Sequence, residues 1–147
     1  MQQKTFLLIG LFTVFGIIFF SGCVNQVIVP ETLTGISLDN SFQLKINQTA
    51  VIESENLEIT FLSVVSDSRC PVDVTCFLEG EAVVVINVLK AGQNFGDFNL
   101  STNEIMGGLK VVNFDNYFLK LLDVKPYPGT PEARFPEHTV TLVVSKQ

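Results

Sequence analysis

The chain has 147 residues, a formal net charge of −6 at pH 7, three cysteines and a single histidine. That length holds one ordinary domain plus a short extension. Scattered, net acidic charge argues against nucleic acid as a partner and against electrostatic binding to anionic lipid, and one histidine is too few for a blue-copper set of two His and a Cys.

The chain opens on polar residues 1–5, with one positive side chain at Lys4, followed by an apolar or small run over residues 6–20. This is the order of a secretory signal. The run closes on Phe20-Ser21-Gly22-Cys23, which resembles the lipobox of prokaryotic lipoproteins. The resemblance implies cleavage before Cys23 and a diacylglycerol on its sulfur. Residues 1–22 are then a lipoprotein signal peptide, residues 23–40 a lipidated N-terminus and tether, and the membrane a partner through the lipid. Two other readings stand beside it. An uncleaved helix over residues 6–24 comes close to the ~20 residues a membrane span needs, and a conventional cleavage gives a freely secreted protein. All three put the residues after 23 outside the cytoplasm.

Pro30, Gly35 and Asp39-Asn40 break up the next stretch, as expected of a tether. Phe42, Leu44 and Ile46 then alternate with Gln43 and Lys45, the pattern of a half-buried strand. Residues 49–53 read as a short strand. Leu57, Ile59 and Phe61 alternate with Glu58 and Thr60, and that strand runs on to Val65. A loop with Cys70 and Cys76 follows. With Cys23 assigned to the anchor, these two are expected to pair outside the cytoplasm. Five intervening residues fit neither a redox Cys-x-x-Cys nor a zinc knuckle. A bridge over so short a loop stabilises by about 2.4 kcal/mol in the chain-entropy model.

Residues 81–90 form the strongest segment. Ala82, Val84, Ile86 and Val88 share one face, and Val83, Val85, Asn87 and Leu89 the other, so apolar residues on both faces predict a central strand. Residues 95–101 are a weaker strand containing Gly96. Residues 109–114 follow the Gly107-Gly108 turn, Asp115-Asn116 turns the chain into residues 117–124, and residues 138–145 close it. The last two strands are joined by a Pro-rich loop over residues 125–137, carrying Pro126, Pro128, Pro131 and Pro136. After the leader, no window of about twelve residues keeps a helical period. About eight short strands predict an all-β fold, a single antiparallel β-sandwich or barrel over residues 41–147, preceded by a helical signal or anchor segment.

The motif Asp67-Ser68-Arg69-Cys70-Pro71, the second cysteine Cys76, and Gly80-Glu81-Ala82 together resemble a family of small prokaryotic lipoproteins with no assigned activity. The likeness is strongest over residues 67–82 and weaker from Phe42 to Pro126-Tyr127-Pro128. It implies a lipoprotein β domain. The chain departs from the family at Leu78, where an aromatic is common.

From the residues alone, this segment reads as a structural corner. Pro71 fixes a backbone angle, Asp67 accepts local backbone N–H groups, and Arg69 forks onto Asp67, Asp73 or Glu79. The competing reading is a binding loop carrying Asp67, Arg69, Asp73 and Glu79. Its sharpest form is a protease inhibitor that presents Arg69 on the Cys70–Cys76 loop. The carboxylates of Asp67, Asp73, Glu79 and Glu81 have no EF-hand spacing, so neither metal nor cofactor is expected. No Gly-x-Ser-x-Gly elbow is present, and His138 reads as an exposed edge residue, so no catalytic set is expected. Asn47-Gln48-Thr49 and Asn99-Leu100-Ser101 fit the N-glycosylation acceptor pattern. Tyr127 and Phe135, on the Pro-rich loop, either cap the core or anchor a partner. The expected function is a lipid-anchored extracytoplasmic β domain with a binding or structural role at the cell envelope, facing an envelope protein or ligand; the alternative is a protease inhibitor.

Overall fold

The computed structural model describes residues 31–104, 107–134 and 137–147. The leader, Cys23 and Phe135 lie outside these residues. The fold is all-β, built from two sheets over one core, and it is not a closed barrel. One sheet has five strands in the order β1 (Thr32–Leu33), β3 (Thr49–Ile52), β4 (Leu57–Asp67), β5 (Ala82–Lys90) and β6 (Gln93–Ser101). The other has four, in the order β2 (Ser41–Lys45), β9 (Thr139–Lys146), β8 (Tyr117–Lys125) and β7 (Val111–Phe114). Apart from the short parallel pair β1–β3, all pairings are antiparallel.

Alternation builds the core. Leu57, Ile59 and Phe61 on β4, Ala82, Val84, Ile86 and Val88 on β5, and Leu119 and Leu121 on β8 are all fully buried, each row pointing to the inner face because strand side chains repeat every second residue, and Val124 rejoins the inner row after a register shift between Leu121 and Asp123. The expected central position of residues 81–90 holds: β5 lies between β4 and β6, and its outer row is half-buried.

Three expectations change. The tether is partly built into the domain, because Thr32–Leu33 pair with β3 and Leu33, Ile36 and Leu38 pack on the core. Ile46 leaves its strand, since Asn47 adopts φ 64° and turns the chain into β3. Val65 is exposed and Val64 packs on the core instead. The cause is a pair of bulges in β4, between Phe61 and Ser63 and between Val64 and Ser66. Each bulge inserts a residue and moves the inward row along by one, so Phe61, Val64 and Asp67 stand opposite the inward residues Ile86, Val84 and Ala82.

The strands run between two ends. At the loop end, β4 and β8 finish and β5 and β9 begin, and the Cys70–Cys76 loop and the Pro-rich loop meet. At the hairpin end lie the turns Ala91–Gly92 and Asp115–Asn116.

Candidate functional site

The loop end is held by one arginine. The bulges leave Asp67 on the inward row, and the chain turns back so that Arg69 lies under the end of the sandwich, only 6% exposed. Its Nε donates to Asp67 Oδ1 at 2.9 Å and its Nη2 to Asp67 Oδ2 at 2.7 Å. Nη1 donates to the Val124 carbonyl, and Nη2 also donates to the Pro126 carbonyl at 2.8 Å. The Arg69 backbone N–H adds a bond to Asp67 Oδ1 at 3.2 Å, closing an Asx turn. The guanidinium lies 4.6 Å from the centre of the Tyr127 ring.

The planar fork of arginine suits this arrangement, because it engages a carboxylate with two parallel bonds and stacks on an aromatic face. Burying a cation is costly unless it is paired and hydrogen-bonded, and four side-chain bonds meet that requirement. Arg69 follows β4 in one sheet, whereas Val124 and Pro126 belong to β8 and the chain just after it in the other. The arginine therefore clasps the two sheets together. Desolvation pushes the Asp67 carboxyl upward, but the Arg69 hydrogen bonds and charge outweigh it and hold the carboxyl below its ordinary range.

The neighbouring residues complete the corner. Ser68 N–H donates to the Glu81 carbonyl at 2.8 Å, and Glu81 N–H donates to Ser68 Oγ at 3.1 Å. Gly80 presses so closely on this turn that a Cβ there would lie 1.8 Å from the Ser68 carbonyl oxygen. The Glu81 carboxylate accepts from Ser101 Oγ. Cys70 and Cys76 form the expected disulfide, with Cα atoms 5.9 Å apart. The closed loop leans on the Pro-rich loop: Val72 N–H donates to the Pro128 carbonyl at 3.1 Å, and Asp73 packs against Gly129.

Of the four candidate loop residues, the fold brings Asp67 and Arg69 into direct contact. Glu79 shares with Arg69 a cleft of about 250 Å³ that is also lined by Asn103, Asp123 and Tyr127. Asp73 lies apart, at Gly129. Arg69 points inward, which corrects the expectation that it is the presented side chain of an inhibitory loop. Asp67 and Glu81 each already accept a side-chain hydrogen bond, and among the described residues no group of three acidic, His or Cys side chains is placed to hold a metal ion. His138 is half-buried just before β9 rather than exposed. Asn47 and Asn99 are both exposed, on a turn and on β6. Tyr127 covers Arg69 with one face, while its side chain remains partly open to solvent.

Two features were not read from the sequence. One is a cleft of about 510 Å³ lined by Lys125, Pro126, Tyr127, Thr130, Glu132 and Glu137. The other is apolar exposure on the cysteine loop: Phe77 is 100% exposed, Leu78 66%, Val72 62% and Val74 55%. Four apolar residues between polar ones, in a segment with no strand pattern, were the available signal. Comparison with protein-family models, with curated proteins and with solved structures found no match to the chain.

Proposed function

We propose that the protein is a lipid-anchored extracytoplasmic β domain with a binding role at the cell envelope, working through its loop end. The observation that carries this reading is the Cys70–Cys76 disulfide. It is the kind of bond that persists in an oxidising compartment, in agreement with a leader of the secretory pattern. It also uses two of the three cysteines and leaves Cys23 for the lipid. The loop end supports binding because its charged pair holds the scaffold rigid, while its apolar side chains and the cleft beside Tyr127 face outward. A rigid loop loses little entropy when it engages a partner.

Intact mass of the protein isolated from its host membrane tests the reading. The expected mass lacks residues 1–22 and carries a diacylglycerol on Cys23. A mature chain beginning at an unmodified Cys23, or one that retains the leader, contradicts it.

A further inference from the structure

We propose that the outward face of the cysteine loop rests on the lipid surface that carries the anchor, with Phe77 and Leu78 seated at the acyl boundary. This rests on the reading of Cys23 as the lipidated residue and gives the loop end its partner.

The direction in which the chain enters the domain carries the argument. Strand β1 runs parallel to β3, with Thr32 beside Thr49, and Thr49 stands beside Thr60 on β4. The Glu31 carbonyl accepts from Thr49 N–H at 3.3 Å, which fixes the chain at that point. Going backward from Glu31 therefore leads the same way as going forward along β4, toward the cysteine loop.

Lengths then limit where the membrane lies. On β5, Asn87 stands beside Thr60 and Ala82 beside Asp67. Those five steps rise about 17 Å at about 3.4 Å per residue. From Glu31 back to Cys23 the chain has eight steps, which reach at most about 28 Å when fully extended. Glu31 is one step nearer the loop than Thr32, so a lipid on Cys23 that leads past the loop end has only about 14 Å to spare beyond the level of Asp67. The direction of the chain at Glu31, rather than the tether's length, turns the loop end toward the bilayer, and the length limits how far the bilayer surface lies from that end.

What faces that surface is apolar. Phe77, Leu78, Val72 and Val74 are all exposed on a single loop, and exposed apolar residues gathered on one loop mark an interaction surface. Aromatic and aliphatic side chains on an exposed loop suit the headgroup–acyl boundary. The tether makes the contact intramolecular, at an effective concentration in the millimolar range for short linkers, so a small apolar contact suffices. Asp73 and Glu79 on the same loop are acidic. They favour zwitterionic over anionic lipid, and they oppose pairing of this face with a second copy of itself.

The chain contains no tryptophan, so Phe77→Trp introduces a single indole, excited selectively at the red edge beyond tyrosine absorption, at a fully exposed position that does not disturb the core. Gln93→Trp, at the hairpin end, is the control. The processed full-length protein is reconstituted into phosphatidylcholine vesicles with brominated acyl chains. The expected result for Phe77→Trp is a blue-shifted emission quenched about twofold or more, as for a ring roughly 5–10 Å into the boundary, with Gln93→Trp unaffected. An unshifted, unquenched emission overturns the proposal. So does a blue shift that bromine does not quench, because the ring is then covered by protein, either a second copy or an envelope partner. Intact mass of the same samples reads the anchor separately. A lipidated Cys23 with an unquenched indole refutes the docking alone, whereas an unmodified Cys23 refutes the anchored reading whatever the indole reports.

Discussion

The two ends of the molecule solve the same problem with opposite materials. Each must close a sandwich whose sheets would otherwise leave apolar side chains open to water. At the loop end the closure is a buried cation: Arg69 is sealed beneath Tyr127 and bonded to Asp67, Val124 and Pro126. At the hairpin end it is a buried aromatic with charges outside. The Tyr117 ring stacks on Phe114 with centroids 5.5 Å apart, and its hydroxyl donates to Glu55. Lys146 lies 3.1 Å from the same carboxylate, and Lys90 pairs with Asp115. The hydrogen bond from Tyr117, then that from Lys146, draws the Glu55 carboxyl below its ordinary range, and the bond to Glu55 raises the Tyr117 phenol. The difference teaches how a surface becomes available for binding. Where the charges turn inward, the apolar residues of the loop are left outside; where the charges stay outside, the hydrophobic groups are covered.

The largest expected effect is at the clasp. Asp67→Ala strands a guanidinium with almost no access to water, and removing one partner of such a pair costs about 3–5 kcal/mol. The Asp67 side chain is 19% exposed and the residue as a whole lies open to solvent, which places the loss at or below the lower figure. Chemical denaturation at neutral pH checks it, and a loss no larger than that of a surface pair contradicts the clasp. Because the folded Asp67 pKa is depressed, its stabilisation is present above the ordinary carboxylate value of about 3.9 and is lost as pH falls through the lower folded value. The melting temperature of Asp67→Asn should therefore fall less steeply below about pH 4 than that of the parent. Salt separates the ends, because surface pairs are screened and buried ones much less so. In high salt, Glu55→Gln should lose the part of its effect on the acid limb that comes from the charge of Lys146 and keep the part that comes from the neutral Tyr117 hydrogen bond.

Gly80→Ala comes next. The added methyl meets Ser68 backbone rather than a movable side chain, and overpacking of this kind costs about 1–3 kcal/mol or more. It should lower the melting temperature and loosen the loop end while the hairpin end keeps its hydrogen-exchange protection.

The smallest effect is at the hairpin end and has the opposite sign. Ala91 and Gly92 both have positive φ, at 49° and 80°. This is the backbone of a two-residue hairpin turn that favours Asn-Gly. Ala91→Asn should stabilise the protein by roughly 0.5–1 kcal/mol, since alanine pays a penalty in the left-handed region. A destabilised variant would contradict that account of the turn.

Much of this was legible in the sequence because strand period and turn chemistry are local. The eight expected strands all occur, and the Asp115-Asn116 turn lies where it was expected. What escaped was phase and reach. Nothing in residues 57–67 reveals that a bulge after Phe61 puts Val64 on the inward row and a second, after Val64, puts Asp67 there, because a bulge depends on the partner strand. The pairing of Arg69 with Asp67 was among three local choices. Its bonds to Val124 and Pro126, some 55 residues away, depend on how the sheets meet. Burial of Arg69 follows from those distant carbonyls, so a local reading could offer it as an exposed side chain. The exposure of Phe77 has the same origin, since whether a loop residue finds a pocket is decided by the fold around it.

Amide hydrogen exchange tests the contrast between the ends most directly, comparing the anchored protein in phosphatidylcholine vesicles with the soluble stretch 24–147. The account predicts slower exchange over residues 75–79 in the anchored protein and no change at residues 91–93 and 115–116. Equal protection at both ends, or none at the cysteine loop, would contradict it.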